Sequence, residues 1–137
     1  MVVTIIEGGE LSYTLARILL LFNHRVNIIR QERDANMHNL NELGVNIIYG
    51  IGSDIAVLSQ HCVSESDVFI ALMDNDLDNL TSCLYIKNNF SNKKTITKVN
   101  DPRYTKRFEQ VGIDIAFNSA FMAPNSIGEI RKSNENF

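Results

Sequence analysis

Six short runs of mainly β-branched apolar residues recur along the chain, separated by stretches whose apolar positions repeat with a period near 3.6. The runs are Val2–Ile6, Val26–Arg30, Val45–Tyr49, Asp67–Leu72, Thr95–Val99 and Ile113–Phe117. Most of them are apolar at consecutive rather than alternate positions, the pattern of strands covered on both faces. Between the first two, Leu11, Leu15, Ile18, Leu19 and Phe22 fall on one stripe of a helix. Leu77, Leu80 and Leu84 make a second stripe, and Tyr104, Phe108 and Val111 a third.

The punctuation between these segments agrees with them. Asp101-Pro102 is an N-cap followed by proline at the first helical position, and Gly112 closes that helix. Gly44 does the same after the helix holding Leu40 and Leu43. Ser53-Asp54 caps a short helix running to Leu58, and Asp76 is a candidate cap for the helix after the fourth strand. Strand and helix therefore alternate throughout, which predicts an α/β fold: one Rossmann-like, doubly wound parallel sheet of about six strands with right-handed crossovers. No linker interrupts it, so residues 1–132 are expected to form one domain and residues 133–137 a polar tail. A last helix is expected between Asn118 and Lys132, starting near Pro124.

Composition removes several function classes. The 137 residues carry a net charge of -3, which argues against a nucleic-acid partner, since such proteins usually present a basic face. Cys62 and Cys83 form no CxxC pair and have no histidine at ligand spacing, so both read as reduced thiols and no metal is expected. The longest apolar run, Ile18 to Phe22, is far too short to cross a bilayer, and no basic segment precedes an apolar one at the start of the chain. The expected location is the cytoplasm, with no direct insertion into a membrane.

In an open parallel sheet, ligands bind beyond the carboxyl ends of the strands, so the loops there are the candidate site. The first reads Glu7-Gly8-Gly9-Glu10-Leu11-Ser12, where a dinucleotide fingerprint would read G-x-G-x-x-G. Gly9 keeps the position that lets backbone approach phosphate, and Ser12 is small enough for close helix–strand packing. Glu7 and Glu10 add negative charge beside a helix N-terminus that otherwise attracts anions. At the end of the second strand an NAD site usually carries an acid for the ribose; here stand Arg30 and Gln31, with Glu32 next. The third loop, Tyr49 to Asp54, carries Gly50, Gly52, Ser53 and Asp54. The fourth carries Met73, Asp74 and Asp76, and Lys98 stands near the end of the fifth strand.

In this order and spacing the loops resemble the RCK domain, also called KTN or TrkA-N, a family of cytosolic regulators of potassium channels and uptake transporters. The similarity runs from about Val2 to Asn118 through Gly8-Gly9-Glu10, Tyr49-Gly50-Ile51-Gly52-Ser53-Asp54, Asp67 to Leu72, and Asn100-Asp101-Pro102. It implies a phosphate loop at Gly8, Gly9, Glu10, Leu11 and Ser12, and a ribose position at Arg30 with Gln31 beside it. It implies an adenine-side loop at Gly52, Ser53 and Asp54, with further contacts from Met73, Asp74 and Lys98. The chain departs from the family pattern at Glu7, Ser12, Arg30 and Ile51.

The resemblance implies a non-enzymatic regulator that binds an adenine nucleotide, assembles as a homodimer or larger ring, and gates a membrane potassium channel or transporter. The departures favour AMP, ADP or ATP over NAD(H), because a mononucleotide sets less diphosphate against Glu7 and Glu10. Two alternatives remain open: a fragment of an NAD(P)-dependent oxidoreductase, or a structural module that no longer binds ligand. His24, His38 and His61 fall in or beside helices, where surface roles are expected.

Overall fold

The computed structural model describes residues 1–90 and 92–118. All six apolar runs are strands: β1 Val2–Glu7, β2 Arg25–Arg30, β3 Asn46–Tyr49, β4 Val68–Leu72, β5 Lys94–Val99 and β6 Ile115–Asn118. Every pairing is parallel, and the order across the sheet is β3-β2-β1-β4-β5-β6. The helices are α1 Gly9–Leu21, α2 Ala35–Glu42, the single turns α3 Ile55–Leu58 and α4 His61–Ser64, α5 Asp76–Asn89 and α6 Thr105–Gln110. A 3-10 turn, Pro102–Tyr104, leads into α6. The last helix expected near Pro124 and the tail at residues 133–137 lie outside the described residues.

Consecutive apolar residues in the strands feed two cores, one on each side of the sheet. Ile5, Ile28 and Ile70 pack with Ala16 of α1 and with Met37 and Leu40 of α2. Their neighbours Ile6, Ile29 and Ala71 pack the other way, with Val57, Val63, Cys83, Ile86 and Phe108 from α3 to α6. This is why the strands lack alternation: each residue has a dry partner whichever way it points. Each fully buried Ile or Phe contributes about 1.5–3 kcal/mol from area removed from water.

The cap chemistry holds at four places. Gly44 and Gly112 follow α2 and α6 in the left-handed region, at φ 101 and φ 115. Asp54 accepts from the Ala56 amide, and Asp101 from the Arg103 amide. The cap of α5 is Asn75, which accepts from the Asp78 amide, rather than Asp76.

The helical stripes differ from expectation. In α1 the buried residues are Ser12 and Ala16, with Leu11, Leu15 and Leu19 flanking them, while Ile18 and Phe22 are exposed. Small side chains let this helix approach the sheet closely, and the leucines fill the margins. In α5 the buried residues are Asn79, Ser82, Cys83 and Ile86, Leu80 packs at the edge, and Leu77 is exposed. In α6 only Phe108 is buried; Tyr104 stacks on it and Val111 faces solvent. Cys83 is a free thiol that burial pushes up to about pKa 12, so it stays protonated and unreactive at neutral pH.

Candidate functional site

Strand order reverses between β1 and β4, since β2 and β3 extend to one side of β1 and β4 to β6 to the other. The loops leaving β1 and β4 diverge there, and a cleft of about 560 Å³ opens between them at the carboxyl ends of the strands. That volume falls in the range of small-molecule pockets.

The first loop is built from three consecutive residues in the left-handed region: Glu7 at φ 56, Gly8 at φ 99 and Gly9 at φ 51. Gly8 caps α1 and lies so close to β4 that a Cβ would sit 2.8 Å from Leu72 Cδ1. A Cβ on Gly9 would meet nothing within 4 Å, and the residue lines the cleft. Open space thus adjoins Gly9 at the N-terminus of α1, the end of a helix that suits an anion.

The second loop carries a charge network. The Glu7 carboxylate accepts from the Gln31 amide at 2.8 Å, and its other oxygen lies 3.6 Å from Arg30 Nε. Arg30 Nη2 donates to Asp34 at 3.0 Å, and Asp34 in turn caps α2 by accepting from the Met37 amide. Arg30 Nε is buried without a hydrogen-bond acceptor.

The third loop is packed tightly. A Cβ on Gly52 would sit 2.1 Å from Ile6 Cγ2, and one on Gly50 would sit 2.6 Å from Val57 Cγ2. Gly52, Ser53 and the exposed Ile51 still present edges to the cleft.

The fourth and fifth loops are latched together. Asn79, fully buried, accepts from the Met73 amide and donates to the carbonyls of Met73 and Lys98. Asp76 accepts from the amides of Asn100 and Asp101, and Asn100 Nδ2 donates to the Asp74 carbonyl. These bonds fix Asp74 opposite Lys98, whose ammonium lies 3.6 Å from the Asp74 carboxylate.

The cleft therefore gathers Gly8, Gly9, Arg30, Gln31, Gly52, Ser53, Met73, Asp74 and Lys98 from the residues named on sequence. Four others do not line it. Glu10 is exposed on the first turn of α1, and Leu11 packs against the core under that helix. Ser12 is buried, its hydroxyl donating to the Gly9 carbonyl at 2.8 Å, and Asp54 is occupied in capping α3. Glu7, Leu72, Asn75 and Asp78 line the cleft without having been singled out for it. Asn79 was not among the site residues named on sequence; a buried asparagine one turn into a helix after a strand signals a side chain bonded to that strand's backbone. The lining holds four acids, Glu7, Glu32, Asp74 and Asp78, against two cations, Arg30 and Lys98. Among the described residues no cluster of three His, Cys, Asp or Glu is placed to hold a metal ion, and no helix is long and apolar enough to cross a membrane.

Known proteins share this architecture. A Trk system potassium uptake protein TrkA homolog from Methanothermobacter thermautotrophicus is 37% identical over 114 residues, covering 83% of this chain and 52% of the relative. The chain thus spans about half the length of that protein. The C-terminal domain of Kef from Shewanella denitrificans in its AMP-bound form superposes with a TM-score of 0.79 at 13% identity, covering 100% of this chain and 83% of that one. The GsuK channel bound to NAD superposes with a TM-score of 0.70 at 24% identity, covering 83% of this chain and 20% of the channel chain. GsuK has also been solved with ADP. At these identities the two superpositions establish the fold. The TrkA-N domain model matches residues 3–119, almost the whole described sheet with its switch-point cleft, and the chain belongs to the TrkA-N domain family.

Proposed function

We propose that the cleft binds an adenine nucleotide, and that the domain works as a sensor in the regulation of potassium transport across a membrane. The observation that carries this reading is the open glycine at the head of α1. Gly9 lines the cleft with no protein atom near its Cβ position, where a phosphate would meet backbone N–H groups. Like-fold proteins solved with AMP, ADP and NAD support the ligand class, and the TrkA homolog supports the potassium-uptake context.

Charge ranks the nucleotides. Both cations of the cleft already face acids: Arg30 is flanked by Glu7 and Asp34, and Lys98 faces Asp74. A triphosphate would add several negative charges to an acid-rich lining, whereas a monophosphate adds the fewest. Among the mononucleotides AMP is thus the best fit, then ADP, then ATP; NAD(H) ranks below them because its diphosphate would lie against the first loop, where Glu7 lines the cleft. Membership of the TrkA-N family supports a regulatory over a catalytic role. Action on a cytoplasmic-side partner requires an interface that ligand can bias. The exposed Ile18, Leu21 and Phe22 on α1 and Leu77 on α5 favour self-association as a homodimer or larger ring.

A thermal-shift series with AMP, ADP, ATP, NAD and NADH tests the ligand. Occupancy at a hundred times Kd adds about 2.7 kcal/mol of stability. The expected order of shifts is AMP first, and no shift with any of them at millimolar concentration overturns the proposal. Sedimentation with and without AMP tests the assembly, and a monomer in both runs overturns that part.

A further inference from the structure

We propose that Glu7 supplies the carboxylate that accepts the two ribose hydroxyls of the bound nucleotide, so that an acid at the end of β1 replaces the acid missing from the end of β2. This rests on the adenine-nucleotide reading of the cleft. Four observations lead to it.

The first is position. Glu7 belongs to β1, yet its carboxylate accepts from the amide of Gln31, one residue past the end of β2. The side chain has crossed to the place where an acid at the end of β2 would lie.

The second is spare capacity. An ionised carboxylate offers about four lone-pair directions. The Gln31 amide takes one, and the 3.6 Å separation from Arg30 Nε is too long for a hydrogen bond. The remaining lone pairs belong to a half-buried group that lines the cleft.

The third is complementarity. Arg30 Nε is a buried donor without an acceptor, next to that acid. A ribose hydroxyl is donor and acceptor at once. It can donate to Glu7, and Arg30, which also lines the cleft, lies beside that acid. A phosphate on the ribose would instead meet Glu7 as a like charge, and Arg30 is already balanced by Glu7 and Asp34. The site therefore selects a free diol and rejects a phosphorylated ribose of the NADP kind.

The fourth is backbone conformation. Glu7 holds φ 56, a region that non-glycine residues seldom enter. A glycine would sit there without strain, and a strained side-chain-bearing residue at a ligand cleft is a marker of function.

The test measures affinity of the intact chain for AMP, deoxyadenosine monophosphate and AMP with a second phosphate on its ribose, using wild type, Glu7→Gly and Glu7→Gln. Wild type should prefer AMP to the deoxy form by about tenfold or more, the loss expected for a hydrogen bond to a charged group. It should bind the ribose-phosphorylated form weakest of the three. Glu7→Gly, whose backbone suits the site, should fold and bind AMP and the deoxy form within about twofold of each other. Glu7→Gln, which keeps one acceptor oxygen, should fall between, and carries the measurement if the glycine variant fails to bind. Equal affinity of wild type for AMP and the deoxy form overturns the inference while leaving nucleotide binding intact. So does a ribose preference that survives in both variants. Absence of binding by wild type to any adenine nucleotide overturns the proposed function and this inference with it.

Discussion

The first and third strand-end loops both present glycines to the cleft, yet the glycines serve opposite ends. In the first loop Gly9 faces open space, with nothing within 4 Å of its Cβ position, and holds a left-handed φ of 51. In the third loop Gly50 and Gly52 face the core, with Cβ positions 2.6 Å from Val57 Cγ2 and 2.1 Å from Ile6 Cγ2. Of the first loop's two glycines, Gly8 is packed against Leu72 and only Gly9 leaves room beside the chain. In the third loop both glycines are small because the chain itself fills the room. A glycine at a strand end marks close approach, and only the surrounding packing tells what approaches.

Substitution separates the two cases, and the largest effect belongs to the packed loop. Gly52→Val drives a branched side chain into Ile6, which is fully buried in the central strand. Overpacking of this kind costs about 3 kcal/mol or more where backbone must shift, and urea unfolding should show it as a lower midpoint. A Gly52→Val protein as stable as wild type would mean that the loop is slack and the contrast false. Gly9→Val should cost less, about 1–2 kcal/mol for holding a branched residue left-handed, while calorimetry with AMP shows binding lost. Unaltered AMP affinity in that variant removes phosphate from the first loop. The smallest effect is expected at Asp54→Ala, which deletes the cap on α3 and should cost about 1 kcal/mol of stability with AMP affinity retained. If affinity falls as well, the third loop also touches ligand through its acid, and the two loops are more alike than their packing implies.

Local chemistry is what made most of the fold legible. Asp54 and Asp101 cap the elements that follow them, and Gly44 and Gly112 close helices, because each of these roles is completed within a few residues. The strands were legible because residues such as Ile5 and Ile6 are apolar on both sides of the pleat, which only a doubly covered sheet requires. Helix orientation was less so. Ser12 and Ala16 face the sheet because α1 sits close to it, and a leucine count assigns that face to the larger neighbours. Asn79 and Ser82 are buried polar residues bonded to nearby carbonyls, and hydropathy places such residues outside. Asp76 looked like a cap by its place after the fourth strand. Its actual partners are the amides of Asn100 and Asp101, 24 and 25 residues along the chain, a contact that no local rule anticipates. The candidate site divides in the same way. Gly9, Arg30 and Lys98 were visible from their places at strand ends, whereas the crossing of Glu7 to Gln31 depends on β1 and β2 lying side by side.

The central position of β1 governs the order in which the molecule can assemble. Its pairing with β2 joins Val3 to Val26, a contact available once the first helix has emerged from the ribosome. Its pairing with β4 joins Val3 to Val68, across the whole first half of the fold. Long-range parallel pairing is slow because the intervening chain must be confined before any contact repays it. The half-sheet of β1 to β3 can thus take shape while the chain is still being made, and the cleft comes into being only when β4 arrives. A ligand held between the loops of β1 and β4 has nothing to bind until that closing step. Under the proposed function, a nucleotide held there stabilises the finished domain and leaves the early half untouched, so that its binding reports completion of the sheet.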